Sequence, residues 1–192
     1  MSVDAVREII LKRRTIKPMQ YSDKPVEQSV IDDILESARW APTHKLSEPW
    51  RFAVFTGDGK QALGDYMSSW YKTNTPEDKF QQQKFDRLKS VPAMSGCAIG
   101  LGMHRDEGER LPEEEELLTV GCAVQNMQLL ATAYGLGTFW SSGAIGFTRE
   151  TADFFGFDER TRSLGVLFMG YPDCEWPTSE RRSMDDRVIT HN

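Results

Sequence analysis

Four cations and a hydroxyl crowd into seven positions near the start of the chain, Lys12-Arg13-Arg14-Thr15-Ile16-Lys17-Pro18. Guanidinium forks match phosphate oxygens two at a time, and a lysine adds a point charge. In a chain with a formal net charge of -6, such a cluster is either the dipole-complementing end of a helix or a phosphate clamp. A second stretch, WAPTHKLSEPW from Trp40 to Trp50, sets His44 and Lys45 between two prolines and two tryptophans. It reads as an exposed polar loop or as one wall of a pocket. A third, Thr138 to Gly143 (TFWSSG), begins as a strand and breaks into small polar residues, a form that can support a ligand site. Arg181, Arg182 and Arg187 add charge near the C-terminus.

Other chemistries find no residues to carry them. Cys97, Cys122 and Cys174 are far apart, odd in number and without a CxxC pair, so neither a disulfide framework nor a zinc site is expected. No cysteine has a histidine near it in sequence, which leaves covalent catalysis unsupported. HExxH, GxSxG and GxxxxGK[ST] are absent. Gly135 and Gly137 imitate the first glycines of a dinucleotide fingerprint, but Trp140 holds the third position and the helix precedes the glycines instead of following them. What remains is a set of binding groups for a phosphate and a flat ring, with few acid-base residues. That profile fits a protein whose cofactor does the chemistry.

The elements that must position these residues follow from periodicity. Val120, Ala123, Val124, Met127, Leu130, Ala131 and Tyr134 recur at helical steps, with Cys122 and Leu129 widening the apolar face. This predicts a long buried helix, capped at Gly135 and handing over to the strand at Thr138. Glu113–Glu116 suit its positive end. Asp4 is expected to cap a first helix that buries Val6, Ile9 and Ile10, and Pro25 to open a second with Ile31, Ile34, Leu35 and Ala38 inside. A strand is expected through Phe52, Val54 and Phe55. Residues 57–90 read as two amphipathic helices, the second opened by Thr75-Pro76, with 70–90 suited to a mobile cover. Buried strands are expected at Ala98–Met103 and Leu164–Met169, with a short helix capped by Thr148 between them. The tail from Asp173 to Asn192 has no core of its own and must fray or dock.

The 192 residues, 39% hydrophobic and 27% charged, describe one globular domain spanning 1–192. No apolar run approaches the roughly 20 residues of a membrane span, and the N-terminus has no signal-peptide h-region. With three unpaired cysteines, these features lead to an expected cytoplasmic location without a membrane partner. The acidic balance argues against nucleic acid.

Taken in order, these pieces resemble the FMN-dependent nitroreductase family, and most closely its short branch of NAD(P)H nitroreductases. The likeness rests on RRT at Arg13–Thr15 with Lys17, on the Trp40–Trp50 loop, on GLGTFWSSGA at Gly135–Ala144 and on RRSMDD near the C-terminus. It implies an α+β fold, a three-layer αβα sandwich with a central mixed, mainly antiparallel sheet and a long buried central helix. It also implies a homodimer with residues 173–192 reaching onto the partner subunit. FMN is the implied cofactor and NAD(P)H the implied co-substrate. Arg13, Arg14 and Thr15 would hold the FMN phosphate and ribityl chain, with Arg182 adding charge from the tail. Lys17 would face the pyrimidine end of the ring. Trp40 and His44 would contact the flavin from their loop, and Trp140, Ser141 and Ser142 from the strand. The run Leu130, Ala131, Thr132, Ala133, Tyr134 and Gly135 would serve NAD(P). No side chain is expected to be catalytic and no metal is expected.

The implied reaction is hydride transfer from NAD(P)H through flavin N5 to a small-molecule electron acceptor, nitroaromatic or quinone-like, in a ping-pong sequence. The same fold could instead serve dehalogenation, dehydrogenation or flavin breakdown, or a non-catalytic flavin-binding sensor or carrier. Leu46 and Glu48 depart from the family's usual Asn and Gln, Thr15 replaces a Ser, and Glu180 stands where many relatives have a Lys.

Overall fold

The computed structural model describes residues 2–191; the expected chain ends, Met1 and Asn192, lie outside them. In chain order the elements are α1 (Val3–Lys12), α2 (Gln28–Ala38), β1 (Trp50–Phe55), α3 (Asp58–Thr73), α4 (Gln82–Ser90), β2 (Cys97–His104), α5 (Glu113–Ala133), β3 (Gly137–Ser141), α6 (Arg149–Phe154) and β4 (Thr161–Gly170). The four strands form one sheet in the order β1-β2-β4-β3, every neighbouring pair antiparallel. Among the described residues the parallel component is a single bridge, Thr15 to Thr138.

Side-chain alternation divides the core in two. Cys97, Ile99, Leu101 and Met103 of β2 face α2 and α5, meeting Ile31, Ile34, Val120, Ala123, Val124 and Met127. Ala98 faces the other way, toward Leu63 and Met67 of α3 and Phe155 just after α6. On that side β2 offers only Ala98, Gly100 and Gly102 before His104 at its end. A Cβ on Gly100 would lie 2.8 Å from the Phe155 ring, and one on Gly102 2.7 Å from Phe157. The missing side chains leave room for two phenyl rings, which meet edge to face with centroids 5.5 Å apart. Helices on both faces of one sheet give the expected three layers.

β4 carries a bulge. Gly100 pairs with Val166 and Gly102 with Ser163, so the extra residue falls at Leu164–Gly165. Gly165 has φ of +98°, a conformation glycine adopts without strain. Both Leu164 and Leu167 therefore reach the α5 side.

Several expectations need correction. Ser2, not Asp4, caps α1, accepting from the Ala5 N–H at 3.2 Å. α1 fully buries no side chain: Val6 and Ile10 are 43% and 52% exposed, because the helix leans on α5 with nothing outside it. α2 starts at Gln28, since Pro25 lies three residues upstream of the first helical turn. Thr75-Pro76 opens only a single 3-10 turn, Glu77–Lys79, and α4 begins afterwards. α4 is also packed closely on α3: a Cβ on Gly64 would sit 2.1 Å from the Lys89 carbonyl oxygen. The long helix is buried on its sheet side but leaves Leu118 69% exposed. No helix among the described residues is long and apolar enough to cross a membrane.

Candidate functional site

The N-terminal cations meet the tail. Arg13 closes α1, its N–H bonding the Ile9 carbonyl at 3.0 Å. Arg14 Nη1 donates to the carbonyls of Leu11 at 2.6 Å and Arg13 at 2.8 Å, which caps the helix. The helix-end reading is thus correct for that nitrogen. Arg14 Nε, however, is buried with no acceptor, and a buried donor left unpaired costs about 1–3 kcal/mol. The Trp176 indole N–H donates to the Lys12 carbonyl at 2.6 Å, bringing the tail to the end of α1. Burial, then the nearby charges of Arg14 and Arg181, pull the Arg13 pKa below its usual value. None of these three arginines has a carboxylate partner among the described residues. Three guanidinium groups held together without an anion form a site that a phosphate dianion would satisfy.

The next residues run alongside β3. The Ile16 N–H donates to the Thr138 carbonyl at 3.0 Å, and the parallel sense of the Thr15–Thr138 bridge carries Lys17 toward the Trp140–Ser141 end of the strand. Tyr21 anchors the turn that follows, its buried hydroxyl donating to the Ile16 carbonyl at 2.7 Å. Lys17 is exposed, with no ion pair among the described residues. At the far end of β3 the β4 bulge fixes the strand. The Trp140 indole donates to the Leu164 carbonyl at 2.8 Å. Gly165 lies so close that an added Cβ would stand 2.2 Å from the Ser141 carbonyl oxygen and 3.2 Å from Ser142 Cα. Bulges recur beside functional sites because they re-aim a strand locally. Here the result is a half-buried Ser141 and an exposed Ser142.

The loop with Trp40 and His44 is elsewhere on the chain. Trp40 is 78% exposed and lines an apolar groove of about 490 Å³ with Val6, Ile9, Ile10, Leu129 and Leu130. His44 sits at the N-terminal end of α5, its Nδ1 2.7 Å from Glu115 Oε2. That is about 27 Å along the helix from Ala133 at 1.5 Å per residue. Lys45, Leu46 and Glu48 all have positive φ (52°, 52° and 43°), each costing about 1–2 kcal/mol in a non-glycine residue. The loop is pinned there by Lys45 Nζ on the Arg110 carbonyl (3.2 Å) and the Glu48 N–H on Thr43 Oγ1 (3.0 Å).

The run from Leu130 to Gly135 is the C-terminal end of α5. Gly135 has φ of +77°, and the bonds Leu136 N–H to Ala131 O and Gly135 N–H to Thr132 O complete the expected cap. Ala131 and Thr132 are buried in the core. Leu130, Ala133, Tyr134 and Gly135 reach the surface to different extents, and the Tyr134 hydroxyl is engaged with Asp33 at 2.6 Å. A single chain therefore runs Arg13, Arg14, Thr15 and Lys17 past the start of β3, the strand that carries Trp140, Ser141 and then Ser142, with Arg181 of the tail near Arg13, and leaves His44 at the other end of α5.

Residues 10–171 match the nitroreductase family. A relative from Bacillus subtilis (strain 168), "Putative NAD(P)H nitroreductase YfhC", is 33% identical over 95% of this chain and 92% of its own length. The chain belongs to the nitroreductase family. A nitroreductase-like family protein from Bacillus cereus superposes with a TM-score of 0.84 at 25% identity, covering 100% of this chain and 98% of its own. A structure from Desulfovibrio desulfuricans, solved in complex with FMN, has a TM-score of 0.77 at 23% identity, covering 100% and 99%.

Two features of this nitroreductase chain escaped the sequence reading. Arg181 carries tail charge to Arg13; the RR pair marks the place but not which arginine turns inward. Glu116 is fully buried and ion-paired with Arg105, and its Oε1 accepts from the Asp106 N–H at 2.8 Å. In the run of four glutamates only its helical phase, one turn before Val120, sets it apart.

Proposed function

We propose that the protein is an FMN-dependent oxidoreductase that takes hydride from NAD(P)H and passes it to nitroaromatic or quinone-like acceptors in a ping-pong sequence. The observation that carries the reading is the group of Arg13, Arg14 and Arg181, mutually repelling and without a carboxylate partner among the described residues, with Arg14 Nε buried and unpaired among them. The phosphate of FMN fits it: a dianion with acceptor oxygens answers both the charge and the orphaned donor. The family, the NAD(P)H nitroreductase named among its relatives and the FMN complex among its structural neighbours support the same cofactor and co-substrate.

Bound flavin would supply two-electron redox chemistry at its N5; the chain's own residues bind, orient and shield. Arg13, Arg14 and Thr15 hold the phosphate and ribityl chain, joined by Arg181 and Arg182 of the tail. Lys17 would lie toward the ring, where a cation would favour the negative charge that reduction adds. Trp140, Ser141 and Ser142 form the flank that the β4 bulge sets. The exposed end of α5, Leu130 and Ala133 to Gly135, serves NAD(P)H.

The reading includes a homodimer. α1 leaves its apolar face uncovered, Trp40 and Leu118 are mostly exposed, and so are Val188 and Ile189 in the tail. The groove shared by α1, Trp40 and the Leu129–Leu130 face of α5 is apolar surface of the kind that marks an interface. A second copy would cover it and bring Trp40 and His44 to the clamp of its partner.

The test is spectroscopic. The purified protein should be yellow, and anaerobic NADH or NADPH should bleach it. Replacing Arg13 and Arg14 together with Ala should raise the FMN dissociation constant at least 100-fold with the far-UV dichroism intact. Undiminished FMN affinity in that variant, or a colourless protein that takes up no flavin, would refute the proposal.

A further inference from the structure

The tail follows the N-terminal segment back toward the arginine group. The Ser22 N–H donates to the Tyr171 carbonyl and the Asp173 N–H to the Gln20 carbonyl, each at 2.8 Å. The next fixed point is Trp176. Its indole N–H donates to the Lys12 carbonyl at 2.6 Å, and Lys12 Nζ lies 5.5 Å from the centre of its ring, within cation–π range. The ring also packs against the core cluster that contains Ile16, Tyr21 and Phe168. Among the described residues, this indole makes the only hydrogen bond from the chain beyond Asp173 to the body of the domain. Every residue from 178 to 191 is exposed.

The anchor is shared with the arginine group. The last carbonyls of a helix need donors from outside it. Arg14 Nη1 serves those of Leu11 and Arg13, and Trp176 serves the one between them, Lys12. Arg181 follows Trp176 by five residues, a span of at most about 17 Å, and its charge acts on Arg13. The Arg181 side chain is bonded to Ser179 and the Glu180 carbonyl of its own stretch, and it pairs with no carboxylate among the described residues. Arg13 and Arg181 repel, so that pair cannot keep the tail in place; the indole must.

We propose that Trp176 is a positioning residue, a latch that holds Arg181 within reach of the flavin phosphate. The inference rests on the flavin reading above and needs no second copy of the chain. Without the latch the tail is tied at Asp173, eight residues before Arg181, and the arginine ranges up to about 28 Å from that point. Its share of the phosphate contacts is then lost, while Arg13 and Arg14 keep theirs.

The test is a double-mutant cycle read by FMN fluorescence titration. Trp176→Ala and Arg181→Ala should each raise the FMN dissociation constant about tenfold, the lower range for a hydrogen bond to a charged group. The two together should do no worse than Arg181→Ala alone, because the indole acts only through the arginine. A loss of structure at the end of α1 would instead add to the effect of Arg181→Ala. Riboflavin, which has no phosphate, should bind Trp176→Ala and the unaltered protein alike. Trp176→Phe keeps a ring on the cluster but lacks the N–H, and it should shift FMN affinity in the same direction if the alanine variant fails to fold. Unchanged FMN affinity in the Trp176 variants, equal losses for riboflavin and FMN, or a loss that persists in full beside Arg181→Ala overturns the latch while the flavin reading stands. Unaltered protein that binds neither FMN nor riboflavin overturns the flavin reading and the latch together.

Discussion

Replacing Gly165 with Ala tests whether the β4 bulge sets the candidate site. Two effects add. The residue has φ of +98°, where a Cβ costs about 1–2 kcal/mol. That Cβ would also stand 2.2 Å from the Ser141 carbonyl oxygen, with the Ser141 carbonyl carbon and Ser142 Cα each at 3.2 Å. These are backbone atoms, so relief requires moving β3, and overpacking of this kind costs about 1–3 kcal/mol. The expected loss is on the order of 3 kcal/mol, within the margin of a folded domain. For a chain of this size it lowers the melting temperature by about 6–12 °C. Thermal unfolding followed by circular dichroism reads it. Gly59→Ala is the control: its Cβ would make an ordinary 3.8 Å contact with Phe55, and in the first turn of α3 it should gain roughly 0.5–1 kcal/mol. A Gly165→Ala melting temperature within 2 °C of the unaltered protein, on the order of 1 kcal/mol or less, would refute the reasoning.

Other outcomes follow from the same geometry. Glu116→Ala leaves Arg105 facing an empty buried position and should cost about 3–5 kcal/mol in chemical denaturation, whereas Glu114→Ala on the exposed face should change little. Burial pushes the Cys97 thiol up to about 12, so it should resist thiol reagents at pH 8 and react only on unfolding, while exposed Cys122 and Cys174 react in the folded chain. Hydrogen bonding from the Thr161 hydroxyl, joined by His104, holds the Asp158 carboxyl below its usual range. A depressed folded pKa contributes stability that is present above the unfolded value of about 4 and lost as pH falls through the lower folded one. Asp158→Asn should therefore flatten the acid limb of a stability–pH curve, and an unchanged limb would contradict the assignment.

Much of this was legible because local chemistry and tertiary context agree. The long apolar stretch before Gly135, the glycine cap and the strand at Thr138 announce α5 and β3 through periodicity and turn chemistry alone. The cation cluster is visible as composition, but its meaning is not. One Arg14 nitrogen caps α1 while another lies buried without a partner, and only coordinates separate the two. α1 misled because its apolar face satisfies a helical pattern without meeting a core inside its own chain. The β4 bulge left little trace beyond a glycine in an apolar run. Register depends on what the neighbouring strands do. The strained Thr43–Glu48 loop was invisible for a similar reason, since nothing in HKLSE asks for positive φ and distant contacts impose it.

The extra residue at Leu164–Gly165 also constrains how this chain can vary. Side chains beyond it, from Val166 to Met169, point where they do only because the count is one longer than a regular ladder would allow. Deleting a single residue between Thr161 and Val166 would turn that end of the strand over. Leu167 and Met169 would be presented to the α3 layer, and Val166 and Phe168 to α5. Homologous sequences should therefore tolerate many substitutions along β4 while keeping its length unchanged.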